Sequence, residues 1–164
     1  HGAVLERVPH RGEPIIAGIG CSLGGYHAES GVTLVYGEPT TDQRRVMQAM
    51  ADANTATIDA LAQRQTCTRV NYAALAPIRE ADFGEAIRHR IGHGMGVEGH
   101  EAPWLSPGDD TPTATGMVFS CEPGIYRPGH DGWRCIETLI VTDAGVETPS
   151  RFQSTHPLDA RVIS

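Results

Sequence analysis

Residues 41–63 carry the clearest hydrophobic pattern of the chain, because apolar side chains such as Val46 and Met50 recur there at the spacing of one helical face. Thr40 directly precedes this segment, and Gln43 lies three residues after Thr40. Side chains of these two types can each bond the other's backbone N–H at a helix start. The pattern therefore predicts an amphipathic helix over 41–63 with a capped first turn.

Other segments have the length and composition of strands, and glycine or proline clusters separate them. The predicted strands are 14–21 and 25–36 near the start and 116–126 and 133–142 near the end, with a hairpin turn at 128–132, and a second helix is predicted over 70–79. The glycine-rich stretch 89–105 predicts strand and loop with closely approaching backbones. Because no repeat or low-complexity linker interrupts the chain, the pattern predicts one α+β domain over residues 1–164.

Composition narrows the class of protein. The 164 residues are 40% apolar and 20% charged, which is typical of a globular domain. A formal charge of -7 argues against a nucleic-acid partner, and the apolar runs are too short to cross a bilayer. Four cysteines without a C-x-x-C pair are typical of reduced thiols. We expect a soluble, cytoplasmic protein that binds neither nucleic acid nor a membrane.

Two carboxylates of the predicted hairpin form a candidate cation site. If the turn is centred between Gly129 and His130, Glu122 and Glu137 face each other, roughly 5 Å apart at Cβ. Opposed like charges repel, and a divalent cation between them would turn that repulsion into binding. The alternative is a solvated outer surface, against which apolar neighbours on the same face argue. These neighbours are Val118, Leu139 and Val141.

His93 and His100 are candidates of a second kind, since bare glycines surround both. Imidazole is a common metal ligand, and glycine lets a ligand or substrate come close to the backbone. A structural histidine is the alternative at each position. A dinucleotide-binding loop is excluded, because no strand-turn-helix pattern surrounds these glycines.

Four blocks in this order resemble the signature of a known superfamily. The blocks are 89–96 (HRIGHGMG), 100–103 (HEAP), 116–126 (GMVFSCEPGIY) and 134–138 (RCIET), preceded by the similar stretch 25–29 (GYHAE). Together they are similar to the pita-bread metallopeptidases, the group of prolidase, aminopeptidase P, methionine aminopeptidase and creatinase. The resemblance implies the pita-bread fold, in a chain that lacks part of the N-terminal half of that fold.

The resemblance also implies a ligand set. Active members hold two divalent ions with two Asp, one His and two Glu, and these positions include His93, Glu122 and Glu137. The two Asp positions fall on Gly18 and Glu29, so one carboxylate is kept on a longer arm and the other is missing. The implied cofactor is a divalent Mn, Co, Fe or Zn ion, with one ion expected rather than two, or none.

The implied activity is hydrolysis of a C–N amide bond in a small peptide of the Xaa-Pro type, with His100 and His1 as the residues that bind or protonate the substrate. Two alternatives stay open. One is a creatinase-like or ectoine-hydrolase-like enzyme acting on a non-peptide C–N bond, although the Glu and Arg of metal-free creatinases are Gly31 and Val32 here. The other is an inactive relative that serves as a binding module. Core surface left exposed by the incomplete fold leads us to expect a homodimer.

Overall fold

The structure is a computed structural model that describes residues 6–164. Its strands are β1 (Pro14–Leu23), β2 (Tyr26–Tyr36), β3 (Gly92–Gly94), β4 (Glu101–Leu105), β5 (Val118–Cys121), β6 (Gly124–Arg127), β7 (Asp131–Arg134), β8 (Ile136–Thr142), β9 (Gly145–Glu147) and β10 (Val162–Ile163). Its helices are α1 (Thr41–Ala62), α2 (Cys67–Glu80) and α3 (Phe152–Thr155), with 3-10 turns at Gly84–Ala86 and Leu158–Ala160. The prediction of an α+β fold is confirmed.

An eight-stranded sheet forms the centre of the molecule, in the order β1-β2-β8-β5-β3-β4. Neighbours along this path are antiparallel. β9 adds to β8, β10 pairs in parallel with β2, and β6 and β7 form a separate two-stranded sheet. The two strands predicted near the start of the chain are present as β1 and β2, and they pair with each other.

The two long helices form as their local sequence dictates. Thr40 and Gln43 make the predicted capping box, in which each side chain bonds the other's backbone N–H at 3.2 and 2.9 Å. Helix α1 ends one residue before the predicted end. Helix α2 begins at Cys67, three residues earlier than predicted, because Thr66 caps it. Pro77 lies inside its last turns.

The main core lies between these helices and one face of the sheet. Val46, Met50 and Leu61 of α1 belong to the same buried cluster as Phe119 of β5 and Leu139 of β8. Burial of this apolar surface is the main source of stability. Among residues 6–164, no helix has the length and apolar character needed to span a membrane. All four cysteines are free thiols.

The predicted register of the last hairpin is wrong by one residue. Glu137 lies opposite Cys121, not opposite Glu122. The turn between β6 and β7 joins the paired residues Arg127 and Asp131, so it is centred on Gly129 itself. Because side chains alternate between the two faces of a strand, this shift places Glu137 on the face that packs against α1, whereas Glu122 lies just beyond the end of β5. Val118, opposite Ile140, is on the other face.

Candidate metal centre

His93 lies at the middle of the short strand β3, and only 1% of its surface is exposed. The glycines on either side allow this burial. A Cβ at Gly92 would lie 1.9 Å from the Ser120 carbonyl oxygen, and one at Gly94 would lie 2.8 Å from that of Ala102. Only bare backbone fits between β4 and β5 at these points, so the predicted close approach is confirmed.

The hydrogen bond of His93 Nδ1 determines what its other nitrogen can do. Nδ1 lies 2.9 Å from the Gly94 carbonyl oxygen, which accepts hydrogen bonds and cannot donate, so Nδ1 carries the hydrogen. In the neutral ring, Nε2 is then a bare lone pair. It points at two other acceptors, Glu29 Oε1 at 3.5 Å and Glu122 Oε2 at 3.4 Å.

Three acceptors facing one another repel unless a cation lies among them. Both His93 Nε2 and Glu29 Oε1 are buried and have no hydrogen-bond partner within the described residues. Buried polar atoms normally have partners, and orphans of this kind mark a place for a ligand. A proton or a metal ion would satisfy both atoms.

Electrostatics at these groups follow from the same geometry. Burial alone would lower the pKa of His93, but Glu122, the Gly94 carbonyl and Glu29 outweigh burial and raise it. Burial alone would raise the pKa of Glu122, but His93 and the nearby Arg134 outweigh burial and lower it. Charged forms of both groups are therefore favoured, as in an ion pair.

The spacing of these atoms fits a metal ion. Ligand atoms that each lie about 2.1 Å from one ion in tetrahedral geometry are about 3.4 Å apart, which matches the two distances from His93 Nε2. His100 stacks on His93 with ring centroids 3.9 Å apart. Candidate ligand atoms of His93, His100 and Glu122 all lie within 4.8 Å of one another. His93, His100 and Glu122 therefore fit a divalent ion, and Glu29 Oε1, 3.5 Å from His93 Nε2, is a further candidate ligand.

The structure brings together four of the predicted site residues, Glu29, His93, His100 and Glu122. Among the described residues, the carboxylates that pair with His93 are those of Glu29 and Glu122, not that of Glu137. Glu137 is 2% exposed, and its Oε2 accepts a hydrogen bond of 3.0 Å from Asn54 Nδ2 of α1. Burial raises the pKa of Glu137, and Asn54 and Arg161 offset this effect in part. His1, the remaining predicted residue, lies outside the described residues.

Sequence reasoning missed two residues that shape the site, Asn54 and Arg134. Asn54 holds Glu137, and its position on the apolar face of α1 was a signal, since a polar residue there needs a buried partner. Arg134 Nη1 lies 3.9 Å from Glu122 Oε1. Arg134 was visible in the sequence block 134–138 but had no assigned role.

A cavity of about 300 Å³ opens beside the cluster, and Cys21, Glu29, Met95 and His100 are among its lining residues. Its volume is at the lower end of small-ligand sites. The start of β2 is attached to the glycine-rich loop at this cavity, since His27 N donates to the Gly96 carbonyl oxygen at 2.8 Å.

A model of metallopeptidase family M24 matches residues 1–143. The chain belongs to metallopeptidase family M24.

The M24 relatives include an Xaa-Pro dipeptidase of Lactobacillus delbrueckii subsp. lactis, which is 36% identical over 154 residues, 88% of this chain and 40% of the relative. Dipeptidase PepE from Mycobacterium ulcerans superposes with a TM-score of 0.89 at 32% identity, over 97% of this chain and 42% of its own. The prolidase from Pyrococcus furiosus superposes with a TM-score of 0.86 at 30% identity, over 90% of this chain and 44% of its own. The pita-bread fold is confirmed, and the chain spans about 40% of the length of these M24 relatives.

Proposed function

We propose that this M24 chain is a metal-dependent hydrolase of the Xaa-Pro dipeptidase type, which cleaves a C–N amide bond in a small peptide. The observation that carries the proposal is the convergence of His93 Nε2 with carboxylate oxygens of Glu29 and Glu122 at 3.4–3.5 Å. The relatives supply the substrate class, since several are named Xaa-Pro dipeptidases.

In this proposal some residues hold the metal ion and others bind the substrate. His93, Glu29 and Glu122 would hold one Mn, Co, Fe or Zn ion, because imidazole and carboxylate ligands suit these metals. When bound, such an ion polarises a carbonyl and lowers the pKa of a water molecule. Glu137 stays a predicted further ligand. The exposed imidazole of His100, stacked on His93 at the cavity, is placed to orient the substrate and to protonate the leaving amine.

The cavity beside Glu29 supports a small substrate, because its volume of about 300 Å³ suits a dipeptide better than a protein chain. Three further parts of this proposal stay predictions. They are a role of His1 in binding or protonating the substrate, a cytoplasmic location and a homodimer.

A metal-free creatinase-like reaction is disfavoured by the space around Gly31. A Cβ at this position would lie 2.8 Å from Ile136 Cδ1 and 2.9 Å from the Ala17 carbonyl oxygen. A glutamate of the creatinase kind does not fit there without displacing backbone. The second candidate function is a binding module that does not hydrolyse its ligand, and the missing carboxylate at Gly18 favours it.

The test uses the purified protein with Mn²⁺ or Co²⁺, an Xaa-Pro dipeptide, and a matched Xaa-Ala dipeptide. We expect metal-dependent hydrolysis of the Xaa-Pro dipeptide that a chelator abolishes. H93Q should lower the rate by more than about a hundredfold, because loss of a ligand's supporting hydrogen bond alone can cost that much.

Thermal unfolding with and without metal provides the control, since an ion that binds the native state raises the melting temperature. Metal should raise it in the wild-type protein and not in H93Q. A protein that binds the ion and the dipeptide but releases no amino acid would be a binding module, and the hydrolase proposal would be wrong. Turnover of creatine-like or ectoine-like amides without Xaa-Pro cleavage would favour the non-peptide alternative.

A further inference from the structure

The side chain that is missing at Gly18 leaves a space that two other residues fill. A Cβ at Gly18 would lie 3.0 Å from Ile136 Cδ1 and 3.8 Å from Arg134 Nη2. Gly18 pairs with Gly31 across β1 and β2, and Ile136 also covers Gly31. The methyl group of Ile136 and the guanidinium of Arg134 therefore lie next to the position from which the expected carboxylate is absent.

Arg134 is held firmly at this place by its backbone. Thr33 Oγ1 accepts a hydrogen bond from Arg134 N and donates one to the Arg134 carbonyl oxygen, both at 2.9 Å. These two hydrogen bonds between β2 and β7 fix the direction in which the Arg134 side chain leaves the strand. The Arg134 and Glu122 side chains are 15% and 17% exposed, so water screens their interaction weakly.

Glu122 lies between the imidazole of His93 and the guanidinium of Arg134. Its Oε2 is 3.4 Å from His93 Nε2, and its Oε1 is 3.9 Å from Arg134 Nη1. A guanidinium stays protonated at all accessible pH values, so it is a permanent positive charge on this side of the carboxylate. A second divalent ion at the same side would be repelled by that charge, and Gly18 offers no carboxylate to offset the repulsion.

We propose that the Arg134 guanidinium takes the place of a second divalent ion on the Gly18 side of Glu122, and thereby makes this a one-ion centre. The ion itself is held by His93 with Glu29 and Glu122. This inference rests on the proposed function insofar as it requires metal binding. Arg134 acts through its charge beside Glu122, and that charge determines how many ions the site accepts.

The experiment measures bound Mn²⁺ per chain and its affinity by equilibrium dialysis with elemental analysis. R134Q and R134M remove the charge with two different neutral side chains, and R134K keeps it. R90Q is the matched control. Arg90 carries the same charge just before β3, but its Cζ lies 4.4 Å from the centroid of the Trp104 ring instead of facing Glu122. G18D combined with R134Q restores the carboxylate and removes the competing charge, and the terminal methyl group of Ile136 can shift to admit it.

We expect one Mn²⁺ per chain in the wild-type protein, R134K and R90Q. R134Q and R134M should bind that ion at least about tenfold more tightly, since a nearby like charge is removed. G18D combined with R134Q should bind two ions. A metal-free melting temperature close to that of the wild-type protein shows that a variant is folded. If only one of R134Q and R134M is folded, that variant alone tests the inference.

Wild-type affinity in both R134Q and R134M, with one ion in the G18D double variant, would show that Arg134 has a structural role alone and would overturn the inference. Two ions in the wild-type protein would also overturn it and leave the proposed function intact. One ion with the expected variant effects but no peptide hydrolysis would overturn the proposed function and support the inference. Absence of Mn²⁺ from every variant would overturn both.

Discussion

At the scale of single residues, His93 makes the stability of the metal-free protein depend on pH. Its folded-state pKa is raised above the ordinary 6.5 by Glu122, the Gly94 carbonyl and Glu29, although burial opposes them. A protonated His93 therefore stabilises the folded state fully below pH 6.5, and this stabilisation is lost as pH rises through the raised pKa. In the presence of a chelator, the free energy of unfolding should fall over that range.

Urea unfolding at several pH values measures this effect, and H93Q should flatten the dependence. Glu122 acts in a different window, because its pKa is lowered from 4.5 and its contribution is lost only as pH falls further into the acid range. A wild-type stability that rises between about pH 6 and 8 while that of H93Q stays level would contradict the assignment of His93 as the proton acceptor among the two carboxylates.

At the scale of elements, the pairing of β1 with β2 depends on Gly31. A Cβ at this position would lie within 3.1 Å of Gly18 Cα and closer still to Ile136 and the Ala17 carbonyl oxygen. Gly20, on the same strand pair, has no atom within 4 Å of such a Cβ. G31A should therefore lower the free energy of unfolding by about 1–3 kcal/mol, the usual cost of overpacking.

G20A is the matched control and should change the free energy of unfolding by less than about 0.5 kcal/mol, as for open surface sites. Denaturant titration of the two variants checks both values. Equal losses in G31A and G20A would mean that glycine flexibility, and not the close approach of Ile136 and β1, sets the requirement.

At the scale of the whole molecule, β1 is an edge strand of the sheet, and no strand of residues 6–164 pairs with its outer side. It is ten residues long, carries no charged side chain, and exposes Ile19 and Leu23, with Tyr26 exposed at the start of β2. Natural proteins usually blunt such an edge with charges or cover it. The predicted homodimer stays a prediction, and this edge is where we expect it to form.

Light scattering coupled to size-exclusion chromatography measures the mass in solution. We expect a dimer that I19K converts to a monomer, because a charge on an edge strand disfavours pairing. V97K alters an exposed apolar residue away from β1 and should leave the dimer intact. A wild-type monomer, or a dimer unaffected by I19K, would contradict the prediction.

The sequence alone determined much of this protein, because local rules decided it. The Thr40–Gln43 box and the apolar face of 41–63 predicted α1 almost to the residue, and ordered motif blocks predicted the family and the candidates Glu29, His93, His100 and Glu122. The helix signals lie within a few neighbouring residues, where propensity and capping operate, and each motif block is itself a short run of residues.

The tertiary structure decided what depends on contacts between distant segments. The centre of one turn moved the register by one residue and placed Glu137 against Asn54 on α1, 83 residues away in sequence. Only the contact between β1 and β7 shows that Arg134 lies beside Gly18. A one-residue slip reverses the face of every side chain in a strand, and charges act through space, so neither result follows from the order of residues alone.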